Sequence, residues 1–165
     1  MNIFFLDRSP ALSAQLLCDK HVLKMTIESA QMLSTIQRYF GNSDLSLYKS
    51  THLNHPCTLW ARKTSGNYAW LLQHLIALLE EYSHRFRRQH KTSFTLPSLS
   101  LCPDKIPNDT LIFDTKVTDN DLSDVIESYR LYYFNKSSRM PMKWSHRCPP
   151  EFISSEYLVT RPRLK

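Results

Sequence analysis

The chain contains very little glycine, with only Gly41 and Gly66 among its 165 residues. Tight turns between β-strands and phosphate-cradling loops both draw on glycine, because it adopts positive φ angles at little cost. This scarcity argues against an all-β fold and against a Gly-rich nucleotide loop. The sequence also lacks a CxxC pair, which argues against a cysteine-based zinc site. Its four cysteines are widely and irregularly spaced: Cys18, Cys57, Cys102 and Cys148.

Long hydrophobic runs are missing as well. The opening NIFFL segment is far shorter than the roughly 20 apolar residues that a membrane-spanning helix needs. No signal peptide is recognisable at the start of the chain. We therefore expect a cytoplasmic protein with reduced cysteines and no membrane partner.

The residues that are present indicate a folded helical domain. Hydrophobic residues make up 42% of the chain and aromatic residues 12%, which is typical of a globule and not of a disordered chain. We predict an all-α fold, a single compact domain over residues 1–165 with about four or five helices. The other expected parts are a short extended N-terminal segment, a long irregular connection at 92–120 and a basic, aromatic tail at 136–165.

Capping residues mark the predicted helix ends. Ser9 followed by Pro10 predicts one helix start, and His55 followed by Pro56 predicts another. A long helix should end near residue 40, where Gly41 offers a C-terminal cap. Apolar residues at helical spacing predict two further helices, over residues 68–86 and about 122–135.

A polar stripe runs along the long helix that ends near residue 40. His21, Lys24, Glu28 and Gln31 follow each other at steps of three, four and three, so they share one arc of a helix. Apolar residues flank this arc on both sides, which is the pattern of a polar pocket floor. We therefore predict that His21, Lys24 and Glu28 are catalytic and that Gln31 contacts the substrate. The alternative is a solvent-exposed helix face on which Lys24 and Glu28 form an ordinary i,i+4 surface ion pair.

A second polar cluster lies at the predicted helix start at residue 55. His52, Asn54 and His55 surround this start, and Arg62 follows two turns later. Free backbone N–H groups and the helix dipole favour anions at such a position. We predict that these four residues contact a phosphate or carboxylate. In the alternative interpretation, Asn54 or His55 merely caps the helix.

Histidines are also common metal ligands, so the same residues offer an alternative interpretation as a metal site. His21, His52 and His55 with Glu28 form a chemically possible ligand set. However, HxNH is not a standard zinc-protease spacing, and the sequence contains no HExxH motif. We expect no metal and no cofactor.

Basic charge suggests a polyanionic partner. The formal net charge is +6, and cations cluster at the end of the 68–86 helix and in the tail. Aromatic rings alternate with cations over residues 129–144, as in surfaces that stack bases and neutralise phosphates. We predict double-stranded DNA as the partner of a monomeric protein. The expected DNA contacts here are Arg85, Arg87, Arg88, Lys136, Arg139, Lys143 and Trp144.

Two motifs resemble the pyrimidine-dimer DNA glycosylases of the phage endonuclease V type. An Asp-x-His triplet, Asp19-Lys20-His21, is followed seven residues after the histidine by Glu28. The aromatic-basic segment from Tyr129 to Lys136 is similar to the family's W/Y-x-x-Y-Y-x-K segment. The resemblance covers the first helices and the tail, and the middle of the chain only in outline.

This resemblance implies a small, all-α, metal-free enzyme. Such enzymes excise a damaged base through a Schiff base on the N-terminal α-amine, with the glutamate assisting. Carried over, it makes Glu28 the assisting carboxylate and the amine of Met1 or Asn2 the nucleophile. Position two is larger here than the small residue usual in the family, Lys24 stands where arginines are expected, and THLNHP lies outside the pattern.

The sequence thus predicts a DNA glycosylase with AP lyase activity on a damaged or modified pyrimidine. Two alternatives remain open. One is a phage enzyme that modifies a base or nucleotide without excising it. The other is a non-catalytic module that binds DNA or protein, as a phage counter-defence factor would. A phage-encoded protein would work in the cytoplasm of the host cell.

Overall fold

A computed structural model describes residues 1–114 and 123–154 of the chain. The prediction of an all-α fold is confirmed, because the described residues contain helices and no strand. Residues 115–122 and 155–165, which include the end of the predicted connection and the end of the predicted tail, lie outside this description. Six helices are described: α1 (Pro10–Leu16), α2 (Asp19–Tyr39), α3 (Pro56–Ala61), α4 (Ser65–Phe86), α5 (Leu96–Leu99) and α6 (Val125–Ser137).

The helix ends follow the local signals in the sequence. Ser9 caps α1 and accepts a hydrogen bond from the Leu12 backbone N–H, and His55 caps α3 through its ring. Helix α2 ends at Tyr39, and Gly41 follows with φ +100°, the conformation that glycine adopts most readily. Thr64 caps α4, and its side chain accepts a hydrogen bond from the backbone N–H of Asn67.

The core forms where α4 packs against α1 and α2. Apolar residues one turn apart on α4, among them Leu71, Leu75 and Leu78, are fully buried there. A cluster of rings closes one end of this core, with Phe5 in contact with Trp60, Trp70 and Phe113. These contacts fix the N-terminal segment between distant parts of the chain.

The predicted extended N-terminal segment is buried. The side chains from Ile3 to Leu6 are at most 4% exposed, so these residues belong to the core. Phe4 adopts φ +57°, a left-handed conformation that is strained for a bulky side chain. Its ring packs against Tyr132 and Tyr133 of α6, which compensates for the backbone strain.

The predicted irregular connection is more ordered than expected. It begins with a short 3₁₀ helix (Lys91–Thr95) that leads directly into α5. Residues 107–112 then lie across the start of α4, where Ser65 N–H donates to Pro107 O and Gly66 N–H donates to Asp109 O. Because this strap passes so close, a Cβ at Gly66 would stand 2.4 Å from Leu111 N.

Candidate active site

Glu28 lies against the beginning of the chain. Its Oε2 accepts a hydrogen bond of 3.0 Å from the backbone N–H of Asn2. Its Oε1 lies 3.5 Å from Nζ of Lys24, which is one turn earlier on α2. The Glu28 side chain is 14% exposed and that of Lys24 is 63% exposed. A sheltered carboxylate and an N-terminal backbone nitrogen are thus held in direct contact.

The Asn2 side chain fixes the backbone next to this contact. Its Oδ1 accepts from the N–H groups of Ile3 at 2.7 Å and Phe4 at 3.2 Å. Ser13 of α1 then holds the segment from the other side, donating through Oγ to Phe4 O. Because the following residues are buried, the position of the Asn2 nitrogen is set by the core.

The start of α3 packs on the same N-terminal residues. Thr58 Oγ1 lies 3.9 Å from Sδ of Met1, and the Cys57 thiol lies against the Ile3 backbone. His55 caps this helix. The N-terminal ammonium, His52 and Glu28 all act on it electrostatically. The start of α3 and Glu28 of α2 therefore lie close enough for His55 and Glu28 to interact electrostatically.

Burial and neighbouring charges keep the His55 ring neutral. Partial burial lowers the pKa of His55 first, and the N-terminal ammonium and His52 lower it further, against the opposing effect of Glu28. Its Nδ1 accepts the Cys57 backbone N–H at 3.2 Å. The interpretation of His55 as a cap is thus correct.

The other predicted residues of this cluster lie around it. His52 is exposed at φ +51°, with Nδ1 2.6 Å from Thr51 Oγ1 and its ring 6.4 Å from that of His55. Asn54 is exposed, and Gln31 is half-buried one turn after Glu28. Arg62 stacks its guanidinium over Tyr39, 4.6 Å from the ring centroid. Their contacts with DNA remain predictions.

His21 does not face this pocket. It is 5% exposed, and its Nδ1 lies 2.7 Å from the hydroxyl of Tyr133 and 3.4 Å from Sγ of Cys18. Burial lowers the pKa of His21 to about 4, with the charges of nearby lysines adding to the effect. The prediction that His21 is catalytic is therefore wrong, because the ring joins α2 to α6 inside the core.

Three lysines surround the buried His21 ring. Lys20, Lys24 and Lys136 all act electrostatically on it, so their ammonium groups lie within reach of one side chain. Lys20 was not among the predicted site residues, although it precedes Lys24 by four residues and shares its helix face. His21 stands about 100° further around α2, at the edge of the arc, and turns into the core.

Arg85 was also assigned wrongly. Its side chain is fully buried and donates to Glu81 Oε1 at 2.6 Å, Asp19 Oδ1 at 3.1 Å and the carbonyl oxygen of Leu17. Arg147 also contacts Glu81, at 2.9 Å from the second oxygen. Arg85 cannot reach DNA because its guanidinium is buried and its hydrogen bonds connect α1, α2 and α4.

Trp144 is likewise part of the core. It is 8% exposed, and its Nε1 donates to the carbonyl oxygen of Leu16 at 3.0 Å. The prediction that it stacks on DNA is therefore wrong. The remaining predicted DNA contacts lie at the surface or are half-buried: Arg87, Arg88, Lys136, Arg139 and Lys143.

The described residues contain no group of three His, Cys, Asp or Glu side chains that would hold a metal ion. None of the helices described is long and apolar enough to cross a bilayer. All four cysteines are free thiols, and burial raises the pKa of Cys57 to about 12. This thiol is therefore a poor nucleophile despite its place beside Ile3.

Comparison with known protein families identifies a match. A family model described as "Pyrimidine dimer DNA glycosylase" matches residues 1–94, more than half of the chain. The matched region contains the N-terminal segment, Glu28 and the start of α3. No curated protein and no solved structure matches the chain.

Proposed function

The chain belongs to the pyrimidine dimer DNA glycosylase family, and from this premise we propose that it excises a damaged or modified pyrimidine and then cleaves the abasic strand. The proposed nucleophile is an N-terminal α-amine, and the proposed assisting carboxylate is Glu28. One observation carries this proposal: the 3.0 Å hydrogen bond from the Asn2 backbone nitrogen to Glu28 Oε2.

An α-amine suits this chemistry better than a lysine. Attack on C1′ needs an unprotonated amine, and α-amines have a reference pKa near 8, against about 10.4 for lysine side chains. Lys24 is exposed and paired with Glu28, which suits a contact with DNA phosphate. We therefore assign imine formation to the N-terminus.

Glu28 has two tasks in the proposed mechanism. Its carboxylate accepts the proton that the attacking amine loses, and it stabilises the positive charge that develops on the sugar. Its low exposure strengthens both effects, because solvent screens a sheltered charge less. The fixed backbone around Asn2 supplies the orientation that such a reaction requires.

Two nitrogens can supply the amine. With Met1 removed, the amine would be that of Asn2, whose nitrogen lies against Glu28. With Met1 retained, the amine would belong to the preceding residue, close enough to His55 and Cys57 to act on both electrostatically. The mass of the N-terminal peptide of the active protein distinguishes the two.

DNA would approach from the side that carries Lys20, Lys24 and Lys136. These ammonium groups would bind phosphates on either side of an extruded nucleotide, which must leave the stack to expose its C1′. Tyr132 lies next to Lys136 on α6, with the Lys136 Nζ 5.9 Å from its ring centroid. Its half-buried ring offers a surface on which a base can stack.

Borohydride trapping tests the proposal. The protein is incubated with a duplex that contains one cyclobutane thymine dimer and with a duplex that contains one abasic site, each with sodium borohydride. We expect a covalent complex whose DNA is attached to the N-terminal peptide. Attachment at Lys24 would contradict the proposed nucleophile.

The same incubations separate the alternatives. A change in base mass without strand cleavage would indicate a modifying enzyme. Salt-sensitive binding with no change in the DNA would indicate a binding module, and either result would overturn the proposed excision.

A further inference from the structure

The second histidine of THLNHPC is oriented by its own helix cap. His55 Nδ1 accepts the Cys57 backbone N–H at 3.2 Å, so this nitrogen must carry a lone pair. A neutral imidazole has one proton, which therefore resides on Nε2. His55 is thus a donor at Nε2, and the cap prevents the ring from acting as a base through Nδ1.

The Nε2–H group is available to a substrate. His55 is half-buried, and no side chain or backbone oxygen within the described residues accepts from its Nε2. The residue lies close enough to the N-terminal ammonium and Glu28 for both to act on it electrostatically. A nucleotide whose sugar reaches the amine therefore brings its base or its phosphate near His55.

The charge of the ring favours one of these two groups. The pKa of His55 is lowered by burial first and then by the N-terminal ammonium and His52, so the ring is neutral near pH 7. A neutral donor gives little Coulomb attraction to a phosphate, which cationic side chains bind better. A carbonyl oxygen on a neutral base is the better partner, and every pyrimidine has one next to its glycosidic nitrogen.

We propose that His55 is a catalytic residue whose Nε2–H donates to the carbonyl oxygen of the departing pyrimidine. This inference rests on the proposed glycosylase function and adds a second group to the reaction beside Glu28. His55 belongs to the THLNHP segment, which lies within the matched residues 1–94 but is not part of the two motifs that carry the resemblance.

The proposed step balances as follows. The amine nitrogen forms a bond to C1′ while the bond from C1′ to N1 of the pyrimidine breaks. The electron pair of the broken bond passes into the ring and onto its carbonyl oxygen, where Nε2–H stabilises the charge. Glu28 takes the proton that the new C1′ amine loses, and water protonates the released pyrimidine anion.

Two variants separate this role from the cap. Asparagine and serine are both strong N-cap residues, so His55→Asn and His55→Ser retain the cap but lose the imidazole donor. His90→Asn is the matched control, since His90 caps the 3₁₀ helix at Lys91–Thr95 through the same contact, Nδ1 to Thr92 N–H at 3.1 Å.

Each protein is assayed on the two duplexes, one with a thymine dimer and one with a preformed abasic site. We expect His55→Asn and His55→Ser to slow release of the dimer base by about 10²-fold, the usual effect of losing a transition-state donor. Cleavage of the abasic duplex should be unchanged, because no base departs there. His90→Asn should match the wild type on both duplexes.

Three results would overturn the inference. Equal losses on both duplexes would make His55 a positioning residue, and unchanged base release would show that it takes no part. If both His55 variants instead melt near the assay temperature while their activity per folded molecule equals that of the wild type, His55 serves only as the helix cap. If the wild type cleaves neither duplex, the proposed function itself is wrong.

Discussion

Glu28 is the residue on which the proposed chemistry depends most directly, because it holds the Asn2 nitrogen at hydrogen-bond distance. Glu28→Gln keeps the shape of the side chain and removes its charge and its proton acceptor. We expect turnover on the dimer duplex to fall by about 10²-fold or more, the usual contribution of a positioned acid-base group. DNA affinity should stay the same or rise, because a negative charge near phosphate is lost.

The control is Glu80→Gln, which makes the same change at an exposed position of α4. It should leave turnover and melting temperature unaltered. If Glu28→Gln lowers only the melting temperature and leaves turnover per folded molecule intact, then Glu28 is a structural partner of Lys24.

Single residues also show what could not be predicted from the sequence, namely which polar side chains are buried. The polar stripe included Glu28, which the structure places against the Asn2 backbone, but it also included His21, whose partner Tyr133 is 112 positions away. Arg85 was predicted to contact DNA because its partners Leu17 and Asp19 are 68 and 66 positions away in sequence. Helical spacing defines a face, whereas burial of that face depends on which distant element covers it.

At the scale of elements, local signals were sufficient to predict the longer helices, but not α5. The caps at Ser9, His55 and Gly41 depend on neighbouring residues only, and each was found where the sequence predicts it. The strap at residues 107–112 was missed, because nothing in its own sequence indicates that it pairs with the start of α4.

The strap leads to a prediction for Gly66. Gly66→Ala places a methyl group 2.4 Å from Leu111 N, so either the strap or α4 must shift. We expect the free energy of unfolding to fall by about 1–3 kcal/mol, the usual cost of overpacking. Urea denaturation measures this cost, with Ala69→Ser on the exposed face of the same helix as the control. Equal stability of the two variants would show that the strap is loosely attached.

At the scale of the whole molecule, two buried histidines make stability depend on pH. Burial lowers the pKa of His74 to about 4, although the Pro10 carbonyl opposes the shift, and burial with lysine charges does the same for His21. Unfolded histidine titrates near 6.5, so between pH 6.5 and about 4 the unfolded chain binds protons that the native protein does not. Each ring therefore contributes stability that is present above pH 6.5 and is lost as the pH falls through this window.

We expect the free energy of unfolding to fall by up to about 1.4 kcal/mol per pH unit for each histidine. Urea titrations at a series of pH values measure this slope. His74→Gln removes one titrating ring and should flatten the slope, even though it also lowers stability at neutral pH. An equal slope in the variant would mean that the pKa of His74 is the same in the native protein and in the unfolded chain.

The whole charge distribution gives a prediction for DNA binding. Affinity for duplex DNA should fall with salt, by about 0.9 units of log K per unit of log salt for each phosphate neutralised. Lys136→Ala should reduce this slope by about one phosphate if DNA lies on the Lys20 and Lys24 side. Arg88→Ala tests the predicted DNA contacts at the basic end of α4 in the same assay. A slope that neither variant changes would place DNA elsewhere.

The packing of Phe4 has a consequence for how the protein is made. Its ring contacts Tyr129, Tyr132 and Tyr133, which leave the ribosome more than a hundred residues later. Until α6 emerges, the first residues have no complete core to enter, so an aminopeptidase can reach Met1 throughout translation. In the proposed mechanism the reactive amine belongs to Met1 or to Asn2, so we propose that the choice between them is made during synthesis, before α6 packs on Phe4.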